Sequence, residues 1–139
     1  MNRIKSVSDR GRLRKEIGRL HLQVLLKERG YKDEFTGEEG GEKDFARFHI
    51  LTVAAHPRLE FVSENIIIYL RKNYWVWHEP YHHDRDSTLG RRIMDKIIEL
   101  RGTSYYGDLL DIERYMSQHS KIYLLARRNE LKEQLKELT

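Results

Sequence analysis

Residues 45–83 read FARFHILTVAAHPRLEFVSENIIIYLRKNYWVWHEPYHH, and they hold five of the seven histidines, both prolines and both tryptophans of the chain. Side chains able to do chemistry are therefore concentrated in little more than a quarter of the length. Three of them stand on different kinds of local sequence. His49 sits in the apolar run FHILTV, Asn65 follows the turn-like Ser63-Glu64 and opens IIIYL, and His78 lies in the aromatic segment YWVWHE. A neutral imidazole can act as a general base, an asparagine amide can hold a loop by hydrogen bonds, and an imidazole can ligate a divalent ion.

The mixed apolar and polar run at 45–53 predicts a strand, and 54–59 a loop in which Pro57 stops any continuing ladder. His56 and Arg58 flank that proline, a placement equally suited to phosphate contact and to plain solubility. Ile66-Ile67-Ile68 with Leu70 reads as a strand or as the start of a helix, because periodicity does not separate the two at this length. The rings of Tyr74, Trp75 and Trp77 read as packing a helix onto its neighbours more than as stacking on bases. His82-His83-Asp84 and Asp86 form a further cluster of donor types, although adjacent histidines point in different directions, which favours a polar loop.

The order His, Asn, His on strand, loop and helix resembles the HNH nucleases, the ββα-metal or His-Me finger enzymes. The resemblance is closest to the zinc-knuckle HNH proteins of phage recombination systems, the NinG type. The matching residues read KERGYKDEFTGE, FHIL, HPRLEF, EN and WHEP in the same order, over roughly residues 20–80. It implies an α+β fold in which a small ββα-metal finger core is flanked by an N-terminal helix and a C-terminal helical region. It also implies metal-dependent hydrolysis of DNA in phage recombination or DNA processing. In that scheme His49 activates water, Asn65 steadies the loop, and His78 binds Mg²⁺ or Mn²⁺, helped by a carboxylate or by His82 or His83.

Two departures from the resembled pattern are visible. Asp33, Thr36, Leu70 and Asn73 stand where those proteins carry zinc cysteines, and the chain has no cysteine at all. A structural zinc needs about four N, S or O donors and leucine is none, so no structural zinc is expected. Phe48 stands where a metal ligand often precedes the base, and Tyr74 where the first histidine of the helix is expected. These losses imply the alternative expectation of a catalytically degenerate relative that binds DNA or a protein partner without cutting.

At 139 residues the chain suits one domain with a real core. Its 35% charged residues and mean hydropathy of −0.75 describe a modest core under much charged surface. A net charge of +4 and a pI near 9.3 favour a polyanionic partner. Arg47, Arg58, Arg71, Lys72, Arg91 and Arg92 are the expected contacts to a DNA backbone. No apolar run is long enough for a bilayer and the first residues are polar and basic, so no membrane partner is expected. The expected location is intracellular, in the host cytoplasm if the chain is phage-encoded.

Around the central stretch, residues 1–12 read as a flexible basic arm and 13–30 as a helix with Leu13, Ile17, Leu20, Val24 and Leu25 or Leu26 on one stripe. Gly30 ends it. Residues 31–44 carry six carboxylates and read as a turn or hairpin tightened at Thr36-Gly37, so that 31–83 forms the finger. Residues 84–139 read as helices. One is capped by Ser87 or Thr88, carries Leu89, Ile93, Ile97 and Leu100, and stops at Gly102. A second starts near Ser104 or Gly107. A third runs from about His119 with Leu124, Leu125, Leu131, Leu135 and Leu138, which suits a packing arm or the seam of a homodimer.

Overall fold

The computed structural model describes residues 2–83, 86–117 and 119–139, with side chains from residue 9 onward. Its elements are α1 (Asn2–Arg29), β1 (Phe45–His49), β2 (Ile66–Leu70), α2 (Tyr74–His83), α3 (Thr88–Arg101), α4 (Tyr105–Arg114) and α5 (Lys121–Leu138). The architecture is mixed, with five helices among the described residues around a two-stranded antiparallel sheet. None of these helices is long and apolar enough to cross a membrane.

The stretch expected to be an arm is helical: α1 begins at Asn2 and not near Leu13. Residues 2–12 hold no proline, and the weakest helix former among them, Gly11, costs only about 1 kcal/mol. Leu13, Ile17, Leu20 and Val24 are all buried, and so are Leu25 and Leu26. Gly30 closes α1 with φ +93 and donates its N–H to the Leu26 carbonyl.

β1 and β2 pair with Phe45 opposite Leu70 and His49 opposite Ile66. All five residues of β2 are buried, so IIIYL is a strand covered on both faces. Ile66, Ile68 and Leu70 pack with Leu25, Leu26 and Phe45. Ile67 and Tyr69 point the other way, into a cluster with Phe48, Tyr81, Ile93 and Ile97. The ribbon thus lies between α1 on one side and α2 with α3 on the other. Each fully buried aliphatic side chain there contributes roughly 1.5–3 kcal/mol.

The third apolar cluster joins α1 to α5, with Leu13, Ile17, Leu20 and Val24 against Phe61, Leu124 and Leu131. Leu125 and Leu135 pack beside it. Of the two uses open to the C-terminal stripe, packing arm or homodimer seam, the chain makes the first within itself. α3 starts as expected, with the Ser87 hydroxyl accepting the Gly90 N–H.

The acidic loop after α1 folds back on the free edge of β2. Gly37, at φ +80, makes its turn, and the Lys32–Glu39 bridge closes it. Glu34 then supplies a backbone N–H to the Ile68 carbonyl, and its carboxylate accepts the Ile68 N–H at 2.6 Å. Arg29 and Arg101 both donate to the Ile66 carbonyl and both pair with Glu34. An edge that would otherwise present unpaired backbone groups is covered.

Candidate active site on strand, loop and helix

His49 is the last residue of β1, Asn65 ends a 3-10 turn immediately before β2, and His78 lies in the middle of α2. The segment between the strands, residues 50–65, is the loop on which the site depends, and Asn65 holds it shut. Its Oδ1 accepts the Leu51 N–H at 2.8 Å. Its Nδ2 donates to the Leu51 and Leu59 carbonyls at 3.0 and 3.3 Å. The side chain is fully buried, and all its bonding capacity towards those groups goes to the loop and none to His49.

His49 donates from Nε2 to the Glu60 carbonyl at 3.0 Å, which leaves Nδ1 as its basic nitrogen. Burial, then the neighbouring Arg47 charge and more weakly His78, lower its pKa to about 4, against the opposing Glu60 hydrogen bond. The ring is therefore neutral at physiological pH, the state a general base needs.

Strand alternation puts Phe48 on the other face of β1, against α2. Its ring is fully buried and lies 5.8 Å from the ring of His78 and 5.4 Å from that of His82. His78 and His82, one helical turn apart, have ring centroids 4.6 Å from each other. Tyr74 stacks on His78 at 4.6 Å. Burial, reinforced by His83, lowers the His78 pKa. The structure thus gathers His78 and His82 around Phe48, and His83 is exposed. Asp84 lies outside the described residues.

The donor chemistry of this cluster can be tested against a metal. Nδ1 of His78 is a buried ring nitrogen with no hydrogen-bond partner among the described residues. Two imidazoles at one helical turn suit a borderline ion such as Zn²⁺ better than Mg²⁺ or Mn²⁺, which prefer oxygen ligands. Phe48 occupies the side from which a strand donor would complete the set. Among the described residues no group of three or more His, Asp or Glu side chains is placed to hold a metal ion.

The cations expected to meet DNA divide into two groups. Arg47 is turned inward: Nη1 donates to the Glu60 carbonyl at 3.1 Å and lies 3.4 Å from His21 Nδ1. Its guanidinium rests so close to α1 that a Cβ on Gly18 would come within 2.6 Å of Nη2. That geometry removes Arg47 from the set of surface contacts and makes it a strut of the loop. Arg71, Lys72, Arg91 and Arg92 are exposed and Arg58 is half-buried. Lys72 pairs with Glu38 at 2.6 Å.

Sequence reasoning missed the network behind β1. His21 is fully buried, with Nε2 3.0 Å from the Ser63 hydroxyl. Burial first and then Arg47 lower its pKa to about 2. Arg47 and His49 share the Glu60 carbonyl, while the Glu60 carboxylate accepts two bonds from Arg14. Arg127 of α5 donates twice to the Phe61 carbonyl. No local signal announces such a set, because its members are tens of residues apart in the chain.

The zinc-knuckle positions were also read only by what they lack. The buried carboxylate of Asp33 accepts the Phe35 and Thr36 N–H groups on Oδ1. On Oδ2 it accepts the Leu70 N–H and the Asn73 amide. One carboxylate thus joins all four positions that hold cysteines in the resembled proteins. No family model, curated protein or solved structure matches the chain.

Proposed function

We propose that this chain is an HNH-like, metal-dependent DNA endonuclease, built on the β1–loop–β2–α2 unit. The features that carry the reading are a neutral His49 at the end of β1, Asn65 clamping the loop that follows, and His78 with His82 on the helix after β2; His49 faces the Glu60 carbonyl, while His78 and His82 lie with Phe48 on the other face of the ribbon. His49 Nδ1 would take the proton of the attacking water. Asn65 keeps the loop in the one conformation that puts the Glu60 carbonyl under His49 Nε2, fixing ring and tautomer. A divalent ion on His78 and His82 would supply charge stabilisation to the phosphodiester. Arg58, Arg71, Arg91 and Arg92 would meet the DNA backbone. As the resemblance implies, the substrate would arise in phage recombination or DNA processing.

A second reading rests on Phe48. An apolar ring where a ligand would complete the metal set favours a protein that keeps the fold and binds DNA, or a protein partner, without cutting. Nicking of supercoiled DNA with Mn²⁺, Mg²⁺ or Zn²⁺ separates the two. The nuclease reading expects metal-dependent nicking that falls roughly 10²–10⁴-fold in His49→Ala with DNA affinity retained. Retained DNA binding with no nicking by the wild type leaves the second reading; nicking that survives in His49→Ala removes His49 from the role of base.

A further inference from the structure

α2 presents an aromatic side chain that the fold does not use. Trp75 is 72% exposed and its neighbour Val76 48%, whereas Trp77, two residues on, stacks on Phe35 at 4.5 Å inside the protein. Trp75 is not isolated from the candidate site. Its ring meets Tyr74 edge-on at 5.2 Å, and Tyr74 in turn stacks on His78 at 4.6 Å. A ladder of three rings therefore leads from solvent to the histidine cluster.

A cation precedes the outer rung. Arg71, in the short 3-10 turn that leads into α2, stands four residues before Trp75 and is exposed, whereas Lys72 is paired with Glu38. Arg71 donates its Nε to the Phe45 carbonyl. An exposed indole close in sequence to an exposed arginine offers two kinds of contact, a flat apolar face and a charge for a phosphate. A duplex hides the faces of its bases inside the stack, so an indole finds a stacking partner only where a base is unpaired.

We infer that Trp75 is a stacking platform for an unpaired base, and that the nucleic acid engaged at α2 is single-stranded DNA or a DNA junction with unpaired nucleotides. This rests on the DNA-binding part of the proposed function and is independent of cleavage. The base on Trp75 places its strand along the Tyr74–His78 ladder, and the adjoining phosphate lies toward Arg71. The exposed Trp75 is a specificity determinant, and the half-buried Trp77 packs against the core.

The test is a titration in EDTA, where nothing can be cut, of fluorescein-labelled oligothymidylate and of a labelled duplex of the same length, followed by anisotropy. Binding of the oligothymidylate, with quenching of wild-type tryptophan fluorescence, is expected. Trp75→Ala should weaken that affinity about tenfold or more while leaving duplex affinity and the unfolding midpoint unchanged, and Trp75→Phe should keep most of it. An oligothymidylate affinity that Trp75→Ala leaves within twofold overturns the inference. So does an equal loss on both DNAs, or a self-association, seen by sedimentation, that Trp75→Ala abolishes with no effect on oligothymidylate. Binding to duplex alone overturns the stacking role and spares the DNA reading; binding to neither overturns both.

Discussion

Asn73 Nδ2 donates to Asp33 Oδ2 at 3.0 Å across forty residues of chain. The bond ties the turn after α1 to the segment between β2 and α2, which is what a knuckle metal does in the resembled proteins. The carboxylate reaches further, since the same oxygen accepts the Leu70 N–H and its twin accepts those of Phe35 and Thr36. Four donors converge on one buried carboxyl group, so each has an acceptor without a metal.

Asp33→Ala should therefore be among the most damaging single changes in the chain. It leaves several donors around a fully buried position without an acceptor, and a loss on the order of 3–5 kcal/mol is expected. Denaturant unfolding of the variant measures it, and a loss below about 1 kcal/mol would remove the hub from the account. Elemental analysis after chelation should find no stoichiometric zinc in wild type.

Asn65→Ala should open the loop at residues 50–65, because the Leu51 N–H and the Leu51 and Leu59 carbonyls lose their partner. The expected cost is about 2–4 kcal/mol. Asn65→Asp should not rescue it, since a carboxylate cannot donate to two carbonyls. Amide hydrogen exchange at Leu51 should accelerate in both variants, and unchanged protection there would contradict the clamp.

Acid should destabilise the fold through His21 and His49. Both have pKa values lowered from 6.5, to about 2 and about 4, so below pH 6.5 the unfolded chain binds protons that the folded one refuses. Their stabilising contribution is complete above pH 6.5. It is lost as pH falls, down to about 4 for His49 and about 2 for His21, at roughly 1.4 kcal/mol per pH unit for each histidine. Unfolding free energies at pH 7, 6 and 5 should show this slope, and His21→Gln should reduce it by about one proton. A flat profile between pH 7 and 5 would refute the buried neutral pair.

Binding to DNA should weaken steeply with salt, because the exposed cations meet phosphates and release counterions. Arg91→Ala with Arg92→Ala should reduce the slope of log K against log salt by up to about 1.8. Arg47→Ala should leave that slope unchanged and instead destabilise the protein, since its guanidinium grips the Glu60 carbonyl. A reduced slope in Arg47→Ala would place it at the DNA surface after all.

Much of the architecture was readable along the chain because it rests on local pattern. The stripe from Leu13 to Val24, the stop at Gly30, the turn at Gly37, the Ser87 cap and the strand at Phe45–His49 are each set by neighbours within a few residues. Where local rules are silent, the reading failed or stayed open. Residues 2–12, expected to be an arm, are part of α1. IIIYL became a strand only because α1 and α2 cover both of its faces. Arg47, which composition places at the surface, is drawn inward because Gly18 leaves room for it and Glu60 and His21 accept it. Phe48 looked like a missing ligand, and packing made it the ring on which His78 and His82 converge. Asp33 had no local mark of importance; its role exists only once Leu70 and Asn73 arrive beside it. Periodicity and turn chemistry act over one or two helical turns, so they determine elements. Which buried polar groups meet is decided by chain closure over twenty to sixty residues, and only the tertiary structure carries that information.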